Sequence, residues 1–318
     1  MTAKKVVLIG GSGFVGSAIA SRLGSAGIRT LIPTRRRSRA AALLPLPLAE
    51  VVEADVHDPA TLTRLCAGAD AVVSLVGILH SRSGSPYGAD FARAHVELPQ
   101  KIVDACRNAG VRRLLHVSAL GADASGPSEY QRSKAAGEAA IRAAGPQTGW
   151  TILRPSVIFG RDDRFLNLFA ELARTLPVLP LAGAHARFQP VYVEDVAEVV
   201  WRCLCSDDSV GRTYELAGPT VYTLSQLVQY VAQLLGRPCR IIALPEGLAM
   251  LQAALMELAP QPLMSRDNVR SMRADNVASG DPLPFGLPPT ALESVVPGWI
   301  GTGSARTRYY PFRRQARR

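Results

Sequence analysis

The sequence predicts a doubly wound α/β fold, in which helices cover both faces of a parallel sheet. Short apolar runs alternate with helical patterns through the first half of the chain, as expected when each strand is followed by a crossover helix. The first run leads directly into a cluster of glycines, and the later connections are long enough for right-handed crossovers. After Gly160 the elements become shorter and prolines more frequent, which indicates a smaller α/β region beside the sheet.

Six strands are expected in the first half, since each is a short apolar run bounded by turn residues or charges: 6–9, 30–33, 51–54, 71–76, 113–117 and 151–153. Helical patterns lie between them at 17–23, 60–67, 97–109 and 129–144, and the last three end near a glycine. Beyond Gly160 we expect a helix at 164–174, a strand and then a helix within 191–205, a strand at 213–216 and a helix at 224–235. Prolines and glycines between 278 and 297 predict an extended, wrapping segment.

Residues 246–258 form a further helical pattern with an apolar face. That face carries Leu248, Leu251, Leu255 and Met256. We expect it to pack into the core, and the alternative is a helix that lies in a membrane interface.

Composition limits the class of protein. A chain of 318 residues, 47% of them hydrophobic, can bury a full core in one large domain or two modest ones. The cysteines are odd in number and have no CxxC spacing, which predicts reduced thiols in a cytoplasmic protein. The apolar run before the glycines is too short for a signal peptide, and no run reaches the about 18 residues of a membrane span. The histidines lack ligand spacing, so no metal site is expected.

The formal charge of +10 is concentrated at the C-terminus, where six arginines follow Glu293 without any acidic residue. Residues 305–318 are therefore interpreted as a basic tail that is solvated. The alternative is attraction to an anionic lipid surface or an acidic partner, which would place the protein peripherally on the cytoplasmic face of the inner membrane. No nucleic-acid-binding motif accompanies the charge, so no nucleic-acid partner is expected.

The glycine cluster follows the first strand and opens the first helix. It reads Gly10, Gly11, Ser12, Gly13, Phe14, Val15, Gly16. Glycines permit a tight turn and close approach to a pyrophosphate, and the helix N-terminus offers unpaired N–H groups to the anion. The sequence thus predicts a Rossmann-type dinucleotide-binding domain at residues 1–160. A smaller domain, which can interleave with the first, is expected at 161–304.

The second strand is followed by three arginines, Arg35, Arg36 and Arg37, at the position where an NAD-specific site would carry an acidic residue. A guanidinium pairs with a 2′-phosphate through charge-assisted hydrogen bonds, so Arg35 and Arg36 favour NADP(H), with NAD(H) as the alternative. The competing interpretation is a solvated basic loop.

Three side chains suggest acid–base chemistry. Ser118 follows the apolar strand at 113–117, and Tyr130 and Lys134 share one face of the next helix. An ammonium beside a phenol favours the phenolate, so Tyr130 could exchange a proton with a substrate oxygen that Ser118 hydrogen-bonds.

These motifs resemble the extended and atypical short-chain dehydrogenases/reductases, the NAD-dependent epimerase/dehydratase superfamily. The resemblance spans about residues 4–240, and within it the string 155–167, PSVIFGRDDRFLN, is most similar to the nucleotide-binding accessory subunit family of respiratory complex I, subunit nine of the alpha subcomplex. It implies that Val76, Gly77, Lys134, Pro155 and Val157 border the ribose and nicotinamide. Asp55 and Val56 would border the adenine, and Asp195 would hold the two domains together.

Two features leave alternatives open. His95 stands where extended relatives often have an asparagine, so it is either a proton relay or a packing residue with its hydrogen bonds satisfied. The cluster Arg161, Asp162, Asp163, Arg164 is either an ion-pair network or a site for a substrate anion.

Two functions fit these expectations. The favoured one is an NADP(H)-binding accessory or assembly protein of a membrane respiratory oxidoreductase, in which the nucleotide stabilises the fold and respiratory subunits are partners. The alternative is an active NADP-dependent reductase or epimerase that uses Ser118, Tyr130 and Lys134 on a carbonyl or sugar-like substrate.

Overall fold

The computed structural model describes residues 3–145, 147–237, 239–259 and 262–301, so the basic tail lies outside the described residues. Its strands, in chain order, are β1 (Lys5–Ile9), β2 (Arg29–Thr34), β3 (Ala49–Glu53), β4 (Ala71–Ser74), β5 (Arg113–Val117), β6 (Gly149–Pro155), β7 (Ile158–Phe159), β8 (Val178–Leu181), β9 (Arg187–Phe188), β10 (Val191–Tyr192), β11 (Arg212–Leu216), β12 (Tyr222–Thr223) and β13 (Arg240–Ala243).

The helices are α1 (Phe14–Ser25), α2 (Pro59–Cys66), α3 (Ala89–Phe91), α4 (Leu98–Ala109), α5 (Glu129–Arg142), α6 (Leu166–Thr175), α7 (Val193–Cys205), α8 (Leu224–Leu234), α9 (Glu246–Met256), α10 (Arg266–Ser271) and α11 (Leu292–Val295). A π-helical segment, Ala92–Glu97, joins α3 to α4. Short 3₁₀ turns occupy Arg37–Leu43, Asp207–Ser209, Pro284–Gly286 and Val296–Gly298.

Seven parallel strands of the described chain form the central sheet in the order β3-β2-β1-β4-β5-β6-β11. The strand order reverses between β1 and β4, and ligands of such sheets bind at the carboxyl ends of the strands at this point. This confirms the predicted doubly wound fold of Rossmann type. All six strands expected in the first half are present, although β4 ends at Ser74 rather than at residue 76.

Both faces of the sheet are buried, which explains why its strands read as unbroken apolar runs. In β1, Val6 and Leu8 belong to the core beneath α1 and α7, whereas Val7 and Ile9 belong to the core beneath α2, α4 and α5. The alternation follows from the two-residue period of a strand.

The chain leaves the central sheet after β6 and re-enters it at β11, and α7 packs on one face of that sheet, so residues beyond 160 complete the Rossmann layer. The smaller region packs α6 against α8, with β8 paired to β13 and β9 to β12. The segment after residue 278 wraps back onto the sheet layer, where Leu283 is buried and Thr290 donates two hydrogen bonds to Asp195.

The prediction that the leucine face of α9 packs into the core is wrong. Leu248, Leu251 and Leu255 are 53%, 58% and 62% exposed, and the helix is instead buried through Ala249 and Ala253. Small alanine side chains let α9 lie close to the neighbouring elements, which turns its leucines outward. Across the described ranges, no helix is both long and apolar enough to cross a bilayer.

Candidate functional site

The glycine turn lies at the carboxyl end of β1. Gly10 has φ +90°, and a Cβ there would come within 3.0 Å of the Val76 backbone nitrogen. A Cβ on Gly16 would meet the Gly11 backbone at 2.4 Å, so this glycine lets α1 pack against the turn. Gly13 is the N-cap of α1, and no side chain caps it. The turn therefore leaves the N-terminus of the helix, with Phe14 at its first position, accessible to an anion.

The adenine side is built from the ends of β2 and β3. Arg35 and Arg36 directly follow β2 and are exposed. Asp55 follows β3 and accepts the backbone N–H of His57 at 2.9 Å, which shapes the loop that contains Val56. β2 and β3 are paired in parallel, with Thr34 beside Glu53, so the two strand ends lie near each other.

Val76 and Gly77 follow β4 and border the next part of the site. A methyl group placed on Gly77 would lie 4.0 Å from Lys134 Nζ and 3.9 Å from His95 Nε2. The glycine turn, the end of β4 and the helix carrying Lys134 are therefore adjacent at one edge of the sheet.

Lys134 is buried in α5, and its Nζ donates a hydrogen bond to the Val117 carbonyl at 3.1 Å. Burial lowers the pKa of Lys134 to about 8, partly opposed by the negative charge of Glu138. The lysine thus lies beside Ser118, the residue after β5. The Ser118 hydroxyl is buried and makes no hydrogen bond of normal geometry, although it helps to lower the pKa of the neighbouring Glu138.

Tyr130 lies one helical turn before Lys134 in α5. Its ring is edge-on to His95, with centroids 5.6 Å apart, and to Phe91 at 6.0 Å. Burial raises the pKa of Tyr130 to about 12, so the phenol is neutral. This direction is opposite to the phenolate expected from an adjacent ammonium, because desolvation determines the shift and Lys134 Nζ is bonded to Val117.

His95 is a packing residue whose ring nitrogens are both hydrogen-bonded. Its Nε2 accepts the Ile78 N–H at 3.1 Å, so Nδ1 carries the proton toward Ser133 Oγ at 2.8 Å, and Ser133 in turn donates to the Tyr130 carbonyl at 2.8 Å. Burial and the charge of Lys134 lower the pKa of His95 to about 2. A neutral imidazole in a fixed tautomer favours the packing interpretation over a proton relay.

Glu138 is a site residue that the sequence analysis missed. Its carboxylate is fully buried one turn beyond Lys134 and accepts two hydrogen bonds from Arg154, at 2.8 and 2.7 Å, and one from Arg142. Burial opposes its ionisation, but the hydrogen bonds and charge of Arg154 outweigh this effect and lower the pKa. The four-residue spacing from Lys134 could have indicated it.

Pro155 ends β6, and its carbonyl accepts the Leu120 N–H at 2.8 Å, which ties β6 to the loop after Ser118. Val157 donates its backbone N–H to Asn276 Oδ1 at 3.0 Å, and Ser156 Oγ reaches the same oxygen at 2.6 Å. Asn276 therefore fixes the Pro155–Val157 backbone. Sequence gives no local signal for a contact across 120 residues.

The start of α5 is also held from the smaller region. The buried Asp267 carboxylate accepts the backbone N–H groups of Glu129 and Tyr130, and Glu129 in turn accepts the N–H groups of Gly84 and Gly88 at 3.1 and 2.8 Å. These contacts order both the loop before α3 and the helix that carries Tyr130.

Asp163 takes part neither in an ion-pair network nor in a site for a substrate anion, the two interpretations considered for residues 161–164. Its buried carboxylate accepts backbone N–H groups of Gly160, Phe165, Leu166 and Asn167. Asp163 thus shapes the loop into α6, while Arg161, Asp162 and Arg164 are exposed. Asp195 accepts two hydrogen bonds from Thr290, which links α7 to the C-terminal segment; its predicted role in holding two domains together stays a prediction.

The residues present fit a dinucleotide. The uncapped N-terminus of α1 and the absence of a Cβ atom at Gly77 leave room along the carboxyl edge of the sheet, and the buried Ser118 hydroxyl lies there without a hydrogen bond of normal geometry. Lys134, between Val117 and Gly77, is positioned at the same edge.

Comparison with known proteins agrees with this geometry. Residues 6–217 match the NAD dependent epimerase/dehydratase family. Over 296 residues the chain is 33% identical to NADH dehydrogenase (ubiquinone) 1 alpha subcomplex subunit 9, mitochondrial, of Mus musculus, covering 90% of this chain and 77% of the mouse protein. It is 32% identical over 255 residues to the ceramide reductase of Caulobacter vibrioides, covering 79% of this chain and 77% of that protein.

Among solved structures, the fold is similar to that of DesIV, a dTDP-glucose 4,6-dehydratase from Streptomyces venezuelae, with a TM-score of 0.65 and 22% identity over 76% of this chain and 85% of that one. The chain belongs to the NAD dependent epimerase/dehydratase family, as an NAD(P)-binding protein of the short-chain dehydrogenase/reductase type that resembles the complex I accessory subunit.

Proposed function

We propose that this protein binds NADP(H) as a structural element and serves a membrane respiratory oxidoreductase or its assembly. The similarity over 90% of the chain to subunit 9 of mammalian complex I carries the proposal. The geometry supports a stable scaffold for the nucleotide, since Asp267 holds the start of the helix that carries Tyr130 and Lys134. A ligand present at 100 times its dissociation constant adds about 2.7 kcal/mol to stability, which is sufficient reason to keep a nucleotide without turnover.

Within this function the nucleotide would be NADP(H) rather than NAD(H). Arg35 and Arg36 are exposed at the end of β2, where a 2′-phosphate on the adenosine ribose would be paired by a guanidinium. The glycine-rich turn at residues 10–16 would hold the pyrophosphate. Asp55 and Val56 would border the adenine. Val76, Gly77, Lys134, Pro155 and Val157 would surround the nicotinamide ribose.

A second function is favoured by the complete set of Ser118, Tyr130 and Lys134 and by the similarity to a protein named ceramide reductase. In that case a carbonyl carbon would be reduced by the hydride that a bound NADPH would supply. The Ser118 hydroxyl would hydrogen-bond the carbonyl oxygen, and the neutral Tyr130 would donate the proton that this oxygen needs. Lys134 would hold the nicotinamide ribose.

The proposed location is cytoplasmic and peripheral, on the cytoplasmic face of the inner membrane. Six arginines in the tail would attract the protein to anionic lipid, at about 1 kcal/mol for each basic residue near the surface.

Extraction of native membranes with a mild detergent tests the accessory role. The protein should migrate with respiratory complex subunits on a native gel, and it should leave that band when the complex is genetically removed. Recovery only as a free species, whether or not the complex is present, would contradict the proposal.

A further inference from the structure

Helix α9 presents an apolar face that the described part of the protein leaves uncovered. Leu248, Leu251 and Leu255 recur at helical spacing and are all more than half exposed. The opposite face is in contact with the protein, because Ala249 and Ala253 are buried in a small core. The helix is therefore packed against the protein along one side, and the leucines are exposed along its other side.

Two further exposed leucines follow the helix in the sequence. Leu258, 83% exposed, donates its backbone N–H to the Leu255 carbonyl, and Leu263 is 57% exposed. An ion pair between Glu257 and Arg266, at 2.8 Å, holds the end of α9 next to the start of α10. We call these five residues the leucine surface: Leu248, Leu251, Leu255, Leu258 and Leu263. Exposed apolar patches of this kind in a folded protein mark interaction sites.

Charge around this surface does not repel an anionic occupant. Both acidic residues of the helix and its C-terminal turn are neutralised, Glu246 by an ion pair with Arg273 and Glu257 by one with Arg266. The third nearby acid, Asp267, is turned inward to the backbone of α5. The chain as a whole carries +10.

The sequence beyond residue 301 has the composition of a bilayer interface. Its six arginines lie on either side of Tyr309, Tyr310 and Phe312. Protein interfaces are usually anchored by aromatic side chains, whereas the leucine surface is entirely aliphatic and belongs to an amphipathic helix.

We propose that the leucine surface inserts into the headgroup region of an anionic lipid bilayer, while the arginines of the C-terminal tail supply long-range attraction. This attachment is separate from the nucleotide site and requires no turnover. Such an attachment would also orient the protein. The helix α10 follows α9, and its Asp267 bonds the start of the helix that carries Tyr130. The next residue, Asn268, donates a hydrogen bond to the carbonyl of Leu79, a residue that is 59% exposed. The nicotinamide side of the nucleotide site would therefore lie close to the membrane.

Flotation of the full-length protein with vesicles tests the proposal, using phosphatidylcholine alone and with 30% phosphatidylglycerol (about 0.3 mole fraction, an anionic surface). The variant replaces Leu248, Leu251 and Leu255 with glutamine. The matched control replaces three other exposed aliphatic residues, Leu44, Val210 and Val221, with glutamine. Equal melting temperatures and equal NADPH affinity would establish that both variants are folded.

We expect the wild type and the control to float with anionic vesicles, and the α9 variant to lose roughly tenfold or more in partitioning. The difference should persist in high salt, which screens the tail but not the leucines. As a second measurement, Leu251→Trp should show a blue-shifted emission on adding vesicles, and Leu44→Trp should not.

Three results would overturn the proposal. Undiminished flotation of the α9 variant would show that the tail alone binds lipid, and absence of wild-type flotation would exclude a bilayer. If the wild type is a dimer, the α9 variant is a monomer and both float equally, the leucine surface is an interface with a second copy of the chain.

Discussion

The carboxylate of Asp267 accepts a hydrogen bond from the backbone N–H of Tyr130 at 3.0 Å, although 137 residues separate the two. Its other oxygen accepts the N–H of Glu129 at 2.8 Å. These are the first residues of α5, whose N–H groups have no partner within the helix, and the carboxylate also faces the positive end of the helix dipole. The smaller region therefore fixes the helix that carries Tyr130 and Lys134.

Replacing Asp267 with alanine should destabilise the protein by about 1–2 kcal/mol, since it leaves two helix N-terminal donors unpaired in a buried place. It should also weaken NADPH binding, because Lys134 is carried on the same helix. Urea unfolding and calorimetric titration measure the two effects. Asp281→Ala, which removes an exposed acid, is the control. If Asp267→Ala is as stable as the wild type, water hydrogen-bonds the N–H groups of Glu129 and Tyr130 as well as the carboxylate does.

Arg35→Ala should remove most of a preference for NADPH over NADH. Loss of a charge-assisted contact to the 2′-phosphate costs about 1.5–3 kcal/mol, whereas NADH has no group at that position. Titration calorimetry with both nucleotides measures the ratio of dissociation constants. Arg29→Ala is the matched control, because Arg29 is exposed at the opposite end of the same strand. Equal affinities of the wild type for the two nucleotides would refute the preference.

His95 should make the fold sensitive to mild acid. Its pKa is about 2 in the folded protein and 6.5 ordinarily, so between these values the unfolded chain binds more protons. Stability is therefore fully present above pH 6.5 and falls as the pH decreases below it, by about 1.4 kcal/mol between pH 7.5 and 5.5 for one such histidine. Burial lowers the pKa of His116, His57 and His80 in the same direction, so the wild type should lose more than this amount.

The variant His95→Gln should therefore lose less stability than the wild type over that pH range, by about 1.4 kcal/mol. Urea unfolding at pH 7.5, 6.5 and 5.5 gives the slopes, with the exposed His185→Gln as control. A wild-type slope that His95→Gln leaves unchanged would mean that His95 is protonated in the folded protein.

Lys134→Met should weaken nucleotide binding by about 1.5–3 kcal/mol, if its ammonium holds the nicotinamide ribose as a charged hydrogen-bond donor. The methionine fills nearly the same volume, which separates loss of charge from loss of packing. Lys5→Met is the control, since Lys5 Nζ also bonds a backbone carbonyl, that of Ala67, at the amino end of the sheet. Equal binding by both variants would remove Lys134 from the cofactor site.

The sequence was sufficient to predict what depends on local periodicity. The strands of the parallel sheet are apolar on both faces, and the spacing of Tyr130 and Lys134 placed them on one side of α5. The boundaries shifted by a residue or two. At β4 the run of apolar residues continued past Ser74, where the chain turns away to form the site, so composition alone could not locate the strand end.

What the sequence could not supply depends on distant contacts. Asp267 and Asn276 reach the site across more than a hundred residues, and neither has a neighbouring motif. The upward shift of the Tyr130 pKa follows from desolvation that periodicity does not reveal. The face that α9 buries was assigned incorrectly because hydrophobic size favours the leucines, whereas close packing in the structure selects the alanines.

The central claim is that the nucleotide stabilises the fold and is not turned over. The direct test is NADPH oxidation over a panel of carbonyl substrates, measured for the wild type and Tyr130→Phe beside their thermal stability with and without NADPH. The account predicts that NADPH raises the melting temperature of both proteins equally and that no carbonyl is reduced in a Tyr130-dependent way. Rapid turnover of a physiological carbonyl that falls by about 10²–10⁴-fold in Tyr130→Phe would contradict it and establish the protein as a reductase.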